Sequence, residues 1–203
     1  LDMSDGASIE SNSGDSCEAT RCEPSGNAGT ITIVADRIAM AGDSDARVTE
    51  ISSSTRGRGN AGSLTITADR LDLTGDARIA SVSTGDGDAG QVDLTLGELR
   101  MAGAARITTS AIPMCSFGYC ALGGRGGAVT IAADRAILME GGAIVSQTNG
   151  RGNAGTVSLK APRVTIRNAQ VSTSAGPAST ADGGGIAIET ADLLIDGGEV
   201  SSL

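Results

Sequence analysis

One phrase of about 28 residues repeats along almost the whole chain, and this repeat restricts the possible folds more than any other feature. Its clearest copy is GNAGSLTITADRLDLTGDARIASVSTGD, residues 59–86. Copies of the opening turn begin at Gly26, Gly59, Gly87, Gly124 and Gly152, so the spacings are 33, 28, 37 and 28 residues, with 29 more to a degenerate copy near Ala181. Periods of roughly 20–50 residues are typical of solenoids, propellers and repeat arrays.

Within one copy, apolar and polar residues alternate three times, and the apolar pairs are Leu64 and Ile66, Leu71 and Leu73, and Ala77 and Ile79. A period of two indicates β-strands, because successive side chains of a strand point to opposite faces. Turn-forming residues, such as Gly75 and Asp76, separate the three runs. Leucine-rich, ankyrin and tetratricopeptide repeats fit poorly, because they require helical or L-x-x-L-x-L patterns that this chain lacks. One repeat is therefore three strands and three corners.

Three strands in one repeat can close a triangular coil, and identical coils can stack about 4.8 Å apart through parallel pairing. We therefore predict an all-β fold, a right-handed parallel β-helix of about seven triangular coils of roughly 28 residues. The first strands should form one inward aliphatic stack: Ile31, Ile33, Leu64, Ile66, Ile131, Val157, Leu159, Ile186 and Ile188. On the third strands we expect Ser81, Thr109 and Thr173 inside, and Ala80, Thr108 and Ser172 on a solvated outer face.

The repeat phrase itself resembles that of a known family. G-N-A-G-x-[IL]-T-I-x-A-D-R-[IL]-x-[LM]-x-G, in residues 26–42 and 59–75, is similar to the repeats of filamentous-haemagglutinin-type exoproteins. These are large proteins of two-partner secretion systems in Gram-negative bacteria and cyanobacteria. The resemblance implies a right-handed β-helix, export through a dedicated outer-membrane secretion partner, and usually adhesion. The family's secretion domain, with its Asn-Pro motifs, does not occur in this sequence.

The domain organisation follows from the same pattern. We predict a single β-helix segment over residues 1–203, with hairpin insertions at 12–25 and 111–123. Residues 1–9 match residues 71–79, so the sequence opens in the middle of a coil. We therefore expect a fragment of a longer repeat rod, whose open ends either stack end to end or continue into further chain.

Each insertion contains a Cys-x4-Cys pair, Cys17 with Cys22 and Cys115 with Cys120. Four cysteines permit three pairings, and the matched spacing favours two local disulfides that close outward hairpins. Metal binding is the alternative, but it would favour Cys-x2-Cys or histidine partners, and the chain has no histidine. Disulfides would indicate an oxidising compartment, in agreement with secretion.

The second insertion also holds the only Phe and the only Tyr of the chain, Phe117 and Tyr119. Aromatic residues and methionine are typical anchors of interfaces. We therefore predict an interaction loop made of Ile112, Pro113, Met114, Phe117, Tyr119 and Leu122. The alternative is a loop that folds back over its own coils.

Two further motifs recur at corners. Asn27, Asn60 and Asn153 head equivalent turns and predict an internal asparagine ladder. The dipeptides at 36–37, 69–70 and 134–135 are each Asp-Arg, which predicts that neighbouring coils exchange Asp–Arg contacts along one edge. A row of carboxylates for Ca²⁺ or acid–base chemistry is the alternative, and Asp88, in a turn rich in Gly and Asp, is a further calcium candidate.

Charge and composition exclude several functions. The net charge of −9 and the pI of 4.4 argue against nucleic acid and anionic membrane surfaces as partners. No apolar run approaches the roughly 18 residues of a membrane span, so we expect no membrane insertion. No nucleophile with a base partner is recognisable, so we expect no catalytic residues, no metal, no cofactor and no enzyme activity.

We therefore predict the structural shaft of a secreted or cell-surface bacterial adhesin or extracellular fibre, which mediates adhesion or self-association. Its partners would be other copies of itself or a cell-surface receptor or glycan. A glycan- or ice-binding β-helix module is the alternative and would need a regular outward array of side chains. A polysaccharide lyase is a third possibility and would need a cleft lined by carboxylates.

Overall fold

A computed structural model describes residues 1–14, 26–43, 48–113, 123–176 and 181–203, together with the backbone of 115–116 and 119–120. Within these residues the secondary structure is β-strand without helix. The strands are β1 (Asp2–Met3), β2 (Ser8–Gly14), β3 (Ile31–Ala41), β4 (Glu50–Gly57), β5 (Leu64–Thr74), β6 (Arg78–Gly85), β7 (Val92–Ile112), β8 (Cys115–Ser116), β9 (Tyr119–Cys120), β10 (Val129–Thr148), β11 (Val157–Lys160), β12 (Arg163–Arg167), β13 (Gln170–Ala175), β14 (Ile186–Glu189), β15 (Asp192–Asp196) and β16 (Glu199–Ser202).

The strands stack in three parallel ranks. The first rank runs β3, β5, β7, β10, β11 and β14, and the second runs β1, β3, β5, β7, β10, β12 and β15. The third rank runs β2, β4, β6, β7, β10, β13 and β16. Long strands such as β7 bend through all three ranks. We number coils 1 to 6 by the strand that each contributes to the first rank; β1 and β2 precede coil 1.

The register between coils matches the sequence repeat. Paired first-strand residues are offset by 33, 28, 37, 28 and 29 positions from Ile31 to Leu64, Val92, Val129, Val157 and Ile186. These are the spacings of the turn motif, so each repeat adds one coil. The chain is a β-solenoid, and the predicted all-β parallel fold is confirmed.

The interior is a narrow aliphatic column. Of the predicted first-strand residues, Leu64, Ile66, Ile131, Val157 and Leu159 are completely buried. Ile31, Ile33, Ile186 and Ile188, in the outermost coils, are partly buried and pack against the same cluster. The second rank contributes Ile38, Met40, Leu71, Leu73, Leu99, Met101, Ile137, Met139, Val164 and Ile166. Side chains of this size fill a three-sided coil without aromatic rings, which accounts for the low aromatic content.

The third rank differs in part from its prediction. Ser81, Thr109 and Thr173 lie inside the solenoid and are completely buried, as expected. However, Ala80, Thr108 and Ser172 do not form a solvated face, because they too are buried. The hydroxyl of Thr108 lies 3.0 Å from that of Ser110, so part of this outer face is bonded within the strand.

Candidate functional site

The structure places part of the predicted disulfide and loop residues. Cys17 and Cys22 lie outside the described residues. Cys115 and Cys120 occupy directly opposite positions of an antiparallel hairpin formed by β8 and β9. Opposite residues of an antiparallel pair are about 4.5–5.5 Å apart at Cα, which is within the range that a disulfide spans. The backbone is thus suited to a local bridge, and the bridge itself stays a prediction.

The interaction loop is described only at its base. Ile112 is the last residue of β7 and is 38% exposed, and Pro113 is partly exposed. Tyr119 lies opposite Ser116 in the hairpin. Met114, Phe117 and Leu122 lie outside the described residues. The strands also extend into the predicted insertions, since β2 reaches Gly14 and β7 reaches Ile112.

The asparagine side chains form hydrogen bonds from coil to coil. Asn27 Oδ1 accepts the backbone N–H of Asn60 at 2.9 Å, and Asn60 Oδ1 accepts that of Asp88 at 2.9 Å. Asn153 Oδ1 accepts the N–H of Asp182 at 3.3 Å. All three asparagines are exposed, so the ladder lies outside the solenoid and its predicted internal position is wrong. They bond the backbone of the next coil because the turn carries their side chains outside the sheet.

Asp88 takes the same role as the asparagines. Its Oδ1 accepts the backbone N–H of Arg125 at 2.7 Å. A carboxylate oxygen and a carboxamide oxygen can both accept a backbone N–H in this position. In the part of the chain that the structure describes, no group of three or more His, Cys, Asp or Glu residues is arranged to hold a metal ion.

A second set of coil-to-coil bonds lies inside the solenoid and was not predicted. Ser81 Oγ donates to the carbonyl of Gly62 at 3.0 Å and accepts the N–H of Gly90 at 2.8 Å. Ser53 and Ser146 bridge the turn glycines of successive coils in the same way: Gly29 with Gly62, and Gly127 with Gly155. Each hydroxyl thus joins the turn of its own coil to the turn of the next.

The turns can approach so closely only because they carry glycine. A Cβ atom built on Gly62 would lie 2.0 Å from the carbonyl oxygen of Gly29. The recurring last glycine of the G-N-A-G turn is therefore a packing requirement. Together with the serine two positions after the inward aliphatic residue of the third strand, it is the sequence signal that could have revealed these bridges.

The outer face of the second rank is charged. Asp72 accepts hydrogen bonds from Arg70 Nε at 2.8 and 2.9 Å and from Arg37 Nη2 at 3.4 Å. Partial burial alone would raise the pKa of Asp72, but the bonds and charges of Arg70 and Arg37 outweigh burial and lower it. These residues, with Arg100 and Glu140, border a depression of about 600 Å³. An ionised, paired Asp72 is a weak general base.

The Asp-Arg corner motif pairs differently from its prediction. Arg135 Nη1 lies 2.7 Å from Asp69 Oδ1, and this hydrogen bond lowers the pKa of the Asp69 carboxyl. The two residues are two coils apart, with Gly97 of the intervening coil between them. A Cβ atom on Gly97 would lie 2.7 Å from Arg135 Nη1 and 2.5 Å from Asp69 Oδ1. The missing side chain lets the arginine reach beyond its nearest neighbour.

The outer face of the first rank carries a regular array that sequence reasoning missed. We call it the threonine face, formed by Thr32, Val34, Thr65, Thr67, Asp93, Thr95, Thr130, Ala132, Ser158 and Lys160. Pairing aligns them in two rows along the rod, one from Thr32 to Ser158 and one from Val34 to Lys160. None of the ten is buried. The signal was present in T-I-T-I-V and S-L-T-I-T, where each polar residue alternates with an inward aliphatic one.

The side chains of the threonine face project from the sheet. Among the described residues, Lys160 is the only one of the ten whose side chain forms a hydrogen bond or ion pair, an ion pair of 2.7 Å with Glu189. The hydroxyls from Thr32 to Ser158, and the carboxylate of Asp93 between them, therefore remain available to an external ligand.

The fold and these surfaces define a β-solenoid with three chemically different faces. No family model, curated protein or solved structure matches the chain. Within the described residues, no helix is long and apolar enough to span a membrane.

Proposed function

We propose that this chain is part of the structural shaft of a secreted or cell-surface bacterial adhesin or extracellular fibre. The observation that carries the proposal is the constant register of the stacked coils. First-strand residues from Ile31 to Ile186 align across six coils, even where one repeat is 37 residues long. The additional residues of that repeat lie at a corner, and the pairing of the first strands continues in the same register in the next coil.

Such a stack serves as a spacer. Each coil packs mainly on its two neighbours, so a rod can lengthen by adding repeats without redesigning its core. The interior serine bridges and the exterior asparagine ladder both join one coil to the next, so they stabilise the rod along its axis. Low aromatic content and small turns suit a uniform rod better than a folded catalytic centre.

The resemblance of the repeats to filamentous-haemagglutinin-type exoproteins supports the location. On this proposal the protein passes through a dedicated outer-membrane secretion partner and acts outside the cell. Disulfides in the two Cys-x4-Cys insertions would agree with that oxidising compartment. Its contacts would be with other copies of itself or with a cell-surface receptor or glycan, and the loop of residues 112–122 is one candidate surface.

Antibodies raised against the purified chain would test the location on intact cells of the source bacterium. We expect labelling of intact cells, and we expect the isolated antigen-binding fragments to reduce attachment of those cells to a surface. Fragments from an unrelated antibody are the control. Labelling that requires permeabilised cells would contradict an extracellular shaft, and unchanged attachment would contradict a role in adhesion.

A further inference from the structure

We propose that the threonine face binds an extended, neutral β-linked glucan that lies along the rod axis. The inference deepens the adhesive role proposed above by naming a face and a class of ligand, and it rests on that role only for its biological setting. The charged second face and the loop of residues 112–122 are separate surfaces.

The geometry of the face suits a periodic ligand. Parallel strands lie about 4.8 Å apart, and side chains two residues apart on one strand are separated by about 6.6 Å. The two rows therefore form a flat grid that is held rigid by the sheet. Thr32, Thr65 and Thr130 lie in one row, and Thr67 and Thr95 lie in the other. The sugar repeat of an extended β-linked glucan is close to the rise of one coil, so successive sugars meet successive side chains of a row.

The chemistry of the face suits a hydroxyl-rich ligand. Threonine and serine hydroxyls both donate and accept, as sugar hydroxyls do. Asp93 stands in the middle of the row that runs from Thr32 to Ser158, and within the described residues it forms no ion pair. A sugar hydroxyl donates to a carboxylate in a charge-assisted hydrogen bond, which is stronger than a bond between neutral groups.

The charge of the face selects a neutral ligand. Asp93 is the only charged side chain of the threonine face before Lys160, and the whole chain carries a net charge of −9. An acidic polysaccharide would be repelled by Asp93 and by the chain as a whole.

The area of the threonine face predicts that binding depends on the length of the glucan. Five strands of about 17 Å, stacked at about 4.8 Å, give an area on the order of 400 Å². That is about half of what one partner contributes to a standard protein interface, and individual neutral hydrogen bonds add little net free energy. Binding should therefore require a polymer that engages many coils at once, and short oligosaccharides should bind weakly.

The test is retention of the whole 203-residue chain on amorphous cellulose, measured as a binding isotherm. The double variant Thr67→Arg/Thr130→Arg places two long side chains on the grid, and we expect at least a tenfold loss of affinity. Thr165→Arg is the matched control, because Thr165 projects outward from the second rank in β12. We expect its isotherm to equal that of the parent chain. Asp93→Asn keeps the shape, removes the charge, and should weaken retention a few-fold.

Several results would overturn the inference. They are no retention of the parent chain, equal retention of the parent and the double variant, equal loss in Thr165→Arg, or tighter binding to polygalacturonate than to cellulose. Circular dichroism and melting of every variant ensure that a loss is not due to unfolding. If the chain is not retained on cellulose but the antibodies label intact cells, the glucan site is refuted and the extracellular shaft is not. If the chain is retained on cellulose but the antibodies label only permeabilised cells, the extracellular shaft is refuted and the glucan site is not.

Discussion

At the scale of single residues, two serines of strand β6 show how position decides the role of one side chain. Ser81 and Ser83 both point inward and both are completely buried. Ser81 bonds the carbonyl of Gly62 and the N–H of Gly90. The hydroxyl of Ser83 has no hydrogen-bond partner among the described residues. A buried hydroxyl stabilises only if it is bonded, so the two should respond differently to removal.

We expect Ser81→Ala to destabilise the chain by about 1–3 kcal/mol, because the N–H of Gly90 loses its acceptor inside the core. Ser83→Ala removes an unpartnered hydroxyl of the same type and burial, so its free energy of unfolding should be unchanged or slightly raised. Urea denaturation of both variants beside the parent chain measures the difference. A Ser83→Ala variant that is destabilised as strongly as Ser81→Ala would show that the two hydroxyls do not differ in this way.

Part of this could be predicted from the sequence. Alternation placed Ser81, Thr109 and Thr173 inside, because the position of Ile79 fixes the direction of every second residue. The partner glycines could not be predicted by alternation alone, since they lie at corners 19 and 9 residues away from Ser81, one in its own coil and one in the next. The asparagine ladder runs along the rod axis, as predicted, but it lies outside the solenoid and not inside it. A turn, unlike a strand, has no fixed inward direction, so its side chains could not be assigned to one side from the sequence.

At the scale of strands and faces, Asp72 and Glu50 have pKa values that are shifted in opposite directions. Asp72 has a lowered pKa because Arg70 and Arg37 outweigh its partial burial. Glu50, at the start of β4, has a raised pKa, mainly because it is partly buried; Arg78 opposes this effect, and Glu10 adds to it. A lowered folded-state pKa stabilises the folded chain above the unfolded-state pKa and loses that effect as the pH falls. A raised folded-state pKa stabilises the folded chain below the unfolded-state pKa, and that effect is lost as the pH rises through the folded-state pKa.

Asp72→Asn should therefore lower the melting temperature at pH 7, and its difference from the parent should shrink as the pH falls through the folded-state pKa of Asp72. Glu50→Gln should raise the melting temperature at pH 7, because the folded state favours the neutral form. That gain should vanish as the pH falls below the unfolded-state pKa of Glu50. Melting curves from pH 7 to pH 3 test both. Parallel pH profiles of the two variants would contradict the opposite assignments.

The hairpin of β8 and β9 is the element that departs most from the repeat. We predict that changing Phe117 and Tyr119 together to Ser reduces lateral association or receptor binding without lowering the melting temperature, because the side chains would serve a contact rather than the core. Sedimentation and binding to the surface of host cells measure the two effects. A lower melting temperature with intact association would instead indicate that the loop covers its own coils.

The faces were harder to predict than the coils. Strand alternation and the repeat period give the coil, because both depend on residues close in sequence. The character of a face depends on which residues align across coils that are 28 to 37 positions apart. The sequence therefore predicts an outward threonine on the third rank, where Thr108 is buried, and does not predict the exposed array on the first rank.

At the scale of the whole molecule, the core of the rod is covered unevenly. Leu193 and Ile195 pair in register with Val164 and Ile166, which are completely buried, yet they are 50% and 44% exposed. No further coil covers them within the described residues. Within the described residues, β14, β15 and β16 each pair with one neighbouring strand only, and open strand edges promote edge-to-edge pairing. Apolar surface and an open edge thus coincide on coil 6.

We therefore expect the purified chain to associate end to end, with a mass that rises with concentration in sedimentation velocity experiments. Leu193→Lys/Ile195→Lys places two charges on the open coil and should shift the association to at least tenfold higher concentration. Val34→Lys is the control, because Val34 is apolar and 77% exposed but lies on the side of the rod. A chain that stays monomeric at every concentration would refute stacking. Association that is lost in Val34→Lys and kept in the double variant would mean that the rods meet side by side.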